Sequence, residues 1–300
     1  MTLLDLVGNT PLLALNHLPG NTSGVTVWGK AEFMNPSGSV KDRAAKAMVL
    51  DGLASGKLTS ETTLVDATSG NTGIAYAMLG AVLGFKVKLF MPQNTSAERK
   101  RIIRSFGAEI VETDSLEGSD GAYLAVQALV EADDGTYFYP DQYNNSLNPL
   151  IHYTTTGQEI WRQSEQRVTH FVASVGTSGS FIGCSRRLKQ ENSAIKSFMV
   201  QPASPFHGIE GTKHMASSIK PGILDESLPD GVITVTTEEA YATSRLLARR
   251  EGLFVGISSG ANVAAALKLA ATLPAGSSVV TLLCDTGSRY LSDTFWDEES

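Results

Sequence analysis

The chain has 300 residues, a formal net charge of −7 at pH 7 and a sequence pI of about 5.3. No broad basic field is therefore available to attract a nucleic acid or an anionic membrane surface, and the longest apolar stretch, near AYAMLGAVLGF, is too short to span a bilayer. The 2 cysteines and 5 histidines have no metal-ligand spacing, so neither a metal site nor a disulfide framework is expected.

Short apolar or β-branched runs, typical of strands, alternate with longer segments of helical periodicity. In chain order the strand-like runs are VTVWGKA, TTLVDAT, KVKLFM, AEIVET, THFVASV, IKSFMV, GVITVT and SVVTLLCD. The helical segments include AERKRIIRSF, YLAVQALVEA, EEAYATSRLLARRE and ANVAAALKLAATL. This alternation predicts an α/β fold with mostly parallel sheets, in which ligands bind where strands end and helices begin. The stretch YPDQYNNSLNP near the middle is a candidate interdomain hinge.

Three strand-like runs are each followed by a loop of small residues and then by a helical segment. The loops read SGNTG at residues 69–73, GTSGS at residues 176–180 and GISSG at residues 256–260. Glycine permits close backbone approach, and the hydroxyl groups lie next to helix N–H groups that favour an anion. Each loop alone is also consistent with an ordinary turn whose Ser or Thr caps the helix. Together they favour a ligand that carries a phosphate.

Two common phosphate ligands and one hydrolytic mechanism are not supported. GTSGSFIG lacks the GxGxxG pattern of dinucleotide-binding folds, and GLASGKL has the wrong glycine spacing for an ATP-binding loop. GISSG matches the GxSxG turn of α/β-hydrolases, but that fold needs a histidine after the serine in chain order. The last histidine, His214, precedes Ser258, so this type of hydrolase is excluded.

Lys41 lies in NPSGSVKDRAAKAMV, directly after turn-forming residues and at the predicted start of a helix. The positive end of a helix dipole disfavours the ammonium form, and burial lowers the pKa of a lysine further. A neutral amine forms a Schiff base with an aldehyde and later accepts a proton from carbon. Pyridoxal phosphate needs such an amine and a phosphate cradle. A lone lysine in a KDR run is usually a solvated surface residue. Only its combination with the three loops favours Lys41 as the amine that forms the Schiff base.

The motifs resemble those of the pyridoxal-phosphate β-family, fold type II, and within it the cysteine synthases (O-acetylserine sulfhydrylases). The resemblance rests on NPSGSVKDRAA, TSGNTG, DQYNNSLNP, GTSGS and GISSGA, and it extends from GNTPL to CDTGSRYLS. HYTTTGQEIW, THFVASVGT and CDTGSRYLS are most similar to the B-type branch, whose members accept bulkier sulfur donors such as thiosulfate. The resemblance implies two open-sheet α/β domains of the tryptophan synthase β-like architecture, with pyridoxal 5'-phosphate in the interdomain cleft.

The same resemblance implies a domain division and an assembly. A smaller mobile domain, residues 37–146, would bind the substrate carboxylate, and a larger domain, residues 1–36 and 147–300, would bind the cofactor phosphate. A homodimer is implied, with small-molecule substrates and with serine acetyltransferase as a candidate partner; nucleic acid and membrane partners are not expected. The start MTLLDLVGNTP lacks the pattern of a signal peptide, so a cytoplasmic location is expected.

The resemblance assigns a role to each matching residue. Lys41 is expected to form the Schiff base with the cofactor and to remove the substrate α-proton. Asn71 is expected to bind the ring hydroxyl oxygen, and Ser258 the pyridine nitrogen. The cofactor phosphate is expected to bind Gly176, Thr177, Ser178, Gly179 and Ser180. The amino-acid carboxylate is expected to bind Thr68, Ser69, Thr72 and Gln142.

The implied reaction is a β-replacement with ping-pong kinetics. Sulfide or thiosulfate would replace the acetoxy group of O-acetyl-L-serine through an aminoacrylate, giving L-cysteine or S-sulfocysteine. A serine at the pyridine nitrogen does not hold the ring protonated, which favours prompt β-elimination. The alternatives are an O-phosphoserine sulfhydrylase, a cystathionine β-synthase-like enzyme, a dehydratase, and a catalytically silent regulatory relative. Four intact residues argue against a silent relative, because a protein without catalysis has no chemical need for all of them. They are Lys41, Asn71, Gln142 and Ser258.

Two positions depart from the family pattern. The usual phosphate loop reads GTGGT, whereas Ser178 and Ser180 occupy its third and fifth positions here. In GIEGTKHMASSIKPGI, Lys213 and His214 stand where the B-type branch tends to carry paired arginines. Lys213 keeps a cation and is a candidate contact for a donor anion, while a histidine is largely neutral near pH 7.

The remaining reactive or charged side chains are given structural interpretations. Cys284, in VVTLLCD, is interpreted as a buried strand residue, although it is also a candidate for the pocket wall near the cofactor ring. Cys184 is interpreted as packing. Asp42 and Arg43 are interpreted as an ordinary exposed or interdomain salt link.

Overall fold

A computed structural model describes residues 1–18 and 24–298 of the chain. The described strands are β1 (Leu12–Ala14), β2 (Thr26–Ala31), β3 (Thr63–Ala67), β4 (Lys86–Pro92), β5 (Glu109–Thr113), β6 (Tyr137–Phe138), β7 (His170–Ser174), β8 (Lys196–Pro202), β9 (Gly231–Val235) and β10 (Ser278–Leu283). The described α-helices are α1 (Lys41–Ala54), α2 (Asn71–Leu83), α3 (Ala97–Ser105), α4 (Gly118–Glu131), α5 (Leu147–Ile151), α6 (Gly157–Gln163), α7 (Gly179–Glu191), α8 (Thr237–Leu246) and α9 (Ile257–Ala270).

The strands form two sheets. The larger sheet has the order β1-β2-β10-β7-β8-β9, and the smaller has the order β5-β4-β3-β6. Neighbouring strands pair in parallel, except that β1 runs antiparallel to β2. The predicted α/β fold with mostly parallel sheets is therefore confirmed. The strands of the smaller sheet all lie within residues 63–138, whereas the domain division at residues 37–146 stays a prediction.

Each sheet is covered by helices, which explains the long apolar runs in its strands. All six residues of β10, at the centre of the larger sheet, are buried, as expected for a parallel strand with both faces covered. Helix α9 packs closely on α8. Only glycine fits at position 260, since a Cβ there would collide with the backbone of Ala240. That packing fixes the N-terminus of α9, where Ser258 lies. Within the described part of the chain, no helix combines the length and the apolar character that crossing a membrane requires.

The exposed form of the salt link expected at Asp42 and Arg43 was wrong, because both side chains are buried. The interdomain form stays a prediction together with the domain division. Arg43 forms bidentate ion pairs with Glu32 and Glu159, and all four N···O distances are between 2.7 and 2.8 Å. The carboxylate of Asp42 instead accepts a hydrogen bond of 2.6 Å from the Ser37 backbone N–H. Successive residues of a helix point about 100° apart. A charged run in the sequence therefore does not show which of its members are buried.

Candidate active site

The segments that follow β3, β7 and β10 at their carboxyl ends line one cleft, together with the N-termini of α1 and α9. Most of the predicted site residues meet there. These are Lys41, Thr68, Ser69, Asn71, Thr72, Gln142, Gly176, Thr177, Ser178, Ser180, Lys213 and Ser258. Gly179 does not line the cleft: it begins α7, and its Cα faces the side-chain amide of Asn148.

Lys41 is the first residue of α1 and lies half-buried in the cleft wall. The backbone N–H of Val40 donates to the carbonyl oxygen of Cys284 over 2.8 Å, which ties the start of α1 to the end of β10. Burial lowers the pKa of Lys41, while Cys284 and Asp285 act in the opposite direction. The cleft thus favours the neutral amine that was predicted, and the main cause is loss of hydration.

The loop at residues 176–180 forms a concave surface at the N-terminus of α7. A Cβ at Gly176 would collide with the carbonyl oxygen of Gly211, and one at Gly179 would collide with the side chain of Asn148. Asn148 Nδ2 also donates to the hydroxyl of Thr177 over 3.0 Å. The first N–H groups of a helix have no partner within the helix and bind anions well. This close backbone packing, which only glycine permits, brings the loop to the N-terminus of α7, where a phosphate can bind the free N–H groups.

Ser178 adopts a left-handed backbone conformation, with φ of 68°. That region favours glycine, since a Cβ approaches the following carbonyl group there. Glycine is the residue that the usual GTGGT loop carries at this position. The serine found here therefore adds a hydroxyl group at some cost in backbone free energy.

Replacing Ser178 with glycine is expected to increase the free energy of unfolding by about 0.5–1 kcal/mol. Left-handed geometry costs a residue with a side chain about 1–2 kcal/mol, and the greater freedom of glycine in the unfolded chain offsets part of the gain. Urea unfolding of the two proteins measures the difference. Ser180→Gly is the matched control, because Ser180 lies within α7 and glycine there is expected to destabilise the helix by up to about 1 kcal/mol. A loss of stability in Ser178→Gly would contradict this account.

The loop between β3 and α2 is held by side-chain hydrogen bonds. The Thr68 hydroxyl accepts from the backbone N–H of Gly70 over 2.9 Å. The Thr72 hydroxyl donates to Gln142 Oε1 over 2.9 Å, and Gln142 Nε2 donates to the Ala67 carbonyl oxygen over 2.8 Å. These bonds hold the loop at the N-terminus of α2, whose first N–H groups suit a carboxylate ligand.

Asn71 takes part in a network that the sequence did not indicate. Its Nδ2 donates to Asp285 Oδ2 over 2.8 Å, and Arg289 donates to its Oδ1 and to the Ser37 carbonyl oxygen. The Tyr290 hydroxyl also donates to Asp285 Oδ2, over 2.7 Å. The segment CDTGSRYLS, which contains Asp285, Arg289 and Tyr290, was part of the family resemblance, but the sequence assigned no role to these three residues. These contacts fix the plane of the Asn71 amide.

The cysteines differ in their surroundings. Cys184 is buried in α7, as predicted. Cys284 follows the last residue of β10 and lines the cleft, so its interpretation as a buried strand residue was wrong. Burial, reinforced by Asp285, raises the pKa of the Cys284 thiol to about 11, although Lys41 and Ser258 oppose the shift. The thiol is therefore neutral near pH 7.

The cleft is also lined by residues that no sequence signal indicated, namely Ser119, Tyr143 and Thr212. Lys213 lies beside them and is nearly buried, with 6% of its surface exposed. Its ammonium group is 2.5 Å from Asp120 Oδ1 and 4.9 Å from the centre of the Tyr143 ring. The His214 ring instead bonds to the Ser217 hydroxyl over 2.8 Å. Lys213 thus already has a carboxylate partner.

Comparison with known proteins identifies the family. A family model described as pyridoxal-phosphate dependent enzyme matches residues 3–285. The chain belongs to this family. It is 50% identical to a cysteine synthase of Aquifex aeolicus, with 99% of this chain and 93% of that protein covered. It is 44% identical to cysteine synthase B of Salmonella typhimurium, with 99% and 97% covered. The crystal structure of a cysteine synthase from Entamoeba histolytica matches with a TM-score of 0.92 at 34% identity, covering 100% of this chain and 91% of that one.

The cofactor of this family, pyridoxal phosphate, fits the cleft. The cradle at residues 176–180 has glycine where a Cβ would collide with Gly211 or Asn148, and it lies at a helix N-terminus. Lys41 supplies an amine whose pKa burial lowers, and a neutral amine is what an aldehyde requires. The two features border the same cleft. One molecule with a phosphate at one end and an aldehyde on its ring can therefore meet both.

Proposed function

We propose that the protein is a cysteine synthase, which replaces the acetoxy group of O-acetyl-L-serine by sulfide to give L-cysteine. Thiosulfate is proposed as a second donor, with S-sulfocysteine as its product. The observation that carries the proposal is one cleft that combines the Lys41 amine, the cradle at residues 176–180 and the hydroxyl-rich loop at residues 68–72. Identities of 50% and 44% to cysteine synthases over 99% of the chain support it.

The proposed roles follow from what each group donates or accepts. When bound, pyridoxal phosphate withdraws electrons from the substrate Cα and so makes the α-proton acidic. The Lys41 amine takes that proton, a role for which the lowering of its pKa by burial prepares it. Asn71 orients the cofactor ring through its hydroxyl oxygen. The α-carboxylate of the amino acid is bound by Thr68, Ser69, Thr72 and Gln142. The cofactor phosphate is bound by Gly176, Thr177, Ser178 and Ser180, which line the cleft, and by the backbone N–H of Gly179 at the start of α7.

Ser258 is proposed to set the type of reaction. It lies in the first turn of α9, 6% exposed, on the cleft wall. A hydroxyl group at the pyridine nitrogen carries no negative charge and so does not keep that nitrogen protonated. Electron withdrawal from Cα is then weaker, which favours fast loss of the β-acetoxy group over transamination or racemisation. This is the behaviour that a β-replacement enzyme needs.

The domain division and the assembly belong to the same proposal. Residues 37–146 would move as one unit towards the larger domain, residues 1–36 and 147–300, when the substrate carboxylate binds. A homodimer, a cytoplasmic location and an association with serine acetyltransferase are proposed on the family resemblance. Gel filtration with light scattering, alone and with a serine acetyltransferase, tests the assembly.

A substrate matrix tests the proposed reaction. Purified holoenzyme is mixed with O-acetylserine, O-phosphoserine, serine or threonine, and each mixture receives sulfide, thiosulfate or homocysteine. Mass spectrometry of the products is expected to show cysteine from O-acetylserine and sulfide as the fastest reaction. Faster turnover of O-phosphoserine, or cystathionine as the main product, would replace the proposal with one of its alternatives. If protein with bound cofactor turns over none of these substrate pairs, the result would support the alternative that the protein is a catalytically silent regulatory relative.

The ion pair between Lys213 and Asp120 leads to a prediction about donors. An anionic donor that approaches Lys213 must compete with the Asp120 carboxylate, 2.5 Å away. Replacing Asp120 with asparagine is therefore expected to raise kcat/KM for thiosulfate by about tenfold relative to sulfide, or roughly 1.4 kcal/mol. The matched control is Asp225→Asn, which breaks an exposed pair with Arg186. An unchanged ratio of the two kcat/KM values would show that donors do not contact Lys213.

A further inference from the structure

Arg99 is a buried cation outside the predicted site. It lies in α3 and is 2% exposed. Its guanidinium carbon lies 4.5 Å from the centre of the Tyr290 ring, and it forms an ion pair with Glu210. Nη1 also approaches the carbonyl oxygen of Ser69, at 3.5 Å. One side chain therefore connects three separate segments, including the loop to which the substrate carboxylate is assigned.

The contact with that loop depends on its backbone. Gly70 has φ of +139°, a conformation that essentially only glycine adopts. A Cβ at this position would collide with Cδ of Arg99. The arginine side chain thus occupies the space that the missing Cβ leaves open. Its position and the backbone geometry of Ser69 and Gly70 cannot change independently.

Glu210 belongs to the long connection between β8 and β9, which reaches the cleft from the other side. The carbonyl oxygen of the next residue, Gly211, packs against Gly176 of the phosphate cradle. The backbone N–H of Lys213 donates to the Val175 carbonyl oxygen over 2.8 Å. Residues 209–213 are therefore fixed to the cradle, and the ion pair with Arg99 joins the cradle to the loop at residues 68–72.

The charge of Glu210 is what holds Arg99 in this position. A buried guanidinium needs a paired anion, since an isolated charge away from water is costly. Arg99 Nε has no hydrogen-bond partner among residues 1–18 and 24–298. The polar contacts of the guanidinium group are therefore those of Nη1 with Glu210 and Ser69. Glu210 itself is 36% exposed, which means that its charge can be removed without opening the core.

We infer that Arg99 and Glu210 form a latch that holds Ser69 and Gly70 in the geometry that binds the α-carboxylate of the amino-acid substrate. Arg99 is a positioning residue, since its contact is with the loop. The inference rests on the proposed function only in naming that carboxylate as the ligand. The latch is expected to act first on the amino-acid substrate, because Ser69 belongs to the loop to which the α-carboxylate is assigned.

Neutralising Glu210 tests the latch. L-Methionine, which has no β-leaving group, is titrated into holoenzyme while the absorbance of the bound cofactor is recorded, and the titration is repeated with L-methioninamide, which has no carboxylate. Glu210→Gln is expected to weaken L-methionine binding by about tenfold or more, as for loss of a charge-assisted contact. Binding of the amide and of the cofactor is expected to change less than twofold. In turnover, KM for O-acetylserine should rise while KM for sulfide stays constant.

Two further variants keep the result interpretable. Arg99→Lys keeps the charge but loses the planar fork and the stacking on Tyr290, and it should weaken L-methionine as Glu210→Gln does. Glu226→Gln is the matched control, since it removes an exposed carboxylate from the connection between β8 and β9. It should leave the binding of L-methionine unchanged. Equal weakening of L-methionine and its amide, or none in Glu210→Gln, would overturn the latch. Because these titrations need no turnover, they stand even if O-acetylserine proves not to be the substrate.

Discussion

Replacing Lys41 with alanine is expected to lower kcat/KM by on the order of 10³-fold or more, the loss typical of a missing general base with its covalent contribution. Lys41 is the half-buried amine that begins α1 in the cleft. Burial lowers the pKa of Lys41, which increases the share of the neutral amine that the reaction needs. Borohydride reduction of the holoenzyme, followed by peptide mass spectrometry, should find the reduced cofactor attached to Lys41 and to no other lysine.

A surface lysine provides the control for this prediction. Lys57 is exposed, and Lys57→Ala should retain full activity and the cofactor attachment. Lys41→Arg should be as inactive as Lys41→Ala, because a guanidinium stays protonated and neither attacks an aldehyde nor accepts a proton. Partial recovery of Lys41→Ala by a small added amine would show that the missing group is the amine itself. Retention of activity in Lys41→Ala would refute the assignment of this residue.

The parts of the site that the sequence predicted are those built from local chain signals. SGNTG and GTSGS follow β3 and β7, as predicted, and both line the cleft because each lies at the carboxyl end of a parallel strand. The strand predicted before GISSG was wrong: Val255 forms only an isolated bridge with Thr286, although Ser258 still lines the cleft. The start of α1 at Lys41 could likewise be read from turn residues followed by helical periodicity. Such signals extend over fewer than about ten residues, so one sequence is enough to find them.

The contacts that no sequence signal predicted join residues far apart in the chain. Arg289 reaches Ser37 and Asn71, which lie 252 and 218 positions away. Lys213 meets Asp120 across 93 positions. Charged residues of this kind look like solvated surface in a local window, since most arginines and lysines are exposed. Only the folding of the whole chain brings such side chains to their partners and buries them.

The buried ion pairs of Arg43 are expected to contribute strongly to the stability of the fold. Replacing Arg43 with methionine is expected to lower the free energy of unfolding by about 3–5 kcal/mol, because Glu32 loses its bidentate partner while its carboxylate remains buried. Glu159 keeps Lys30, at 2.7 Å. Urea unfolding of the holoenzyme measures the loss. Arg186→Met, which breaks the exposed pair with Asp225, is expected to cost less than about 1 kcal/mol.

A second substitution and the pH dependence separate lost charge pairing from lost packing. Adding Glu32→Gln to Arg43→Met should recover part of the stability, since the buried carboxylate left without its partner is then removed. Burial alone would raise the pKa of Glu159, but hydrogen bonds and charge from Arg43, aided by Lys30, hold it at about 2. The stability from that lowered pKa is present above the unfolded value of about 4.3 and is lost as the pH falls towards 2. The difference between the original protein and Arg43→Met should therefore shrink over this range. A difference that is independent of pH would assign the loss to packing.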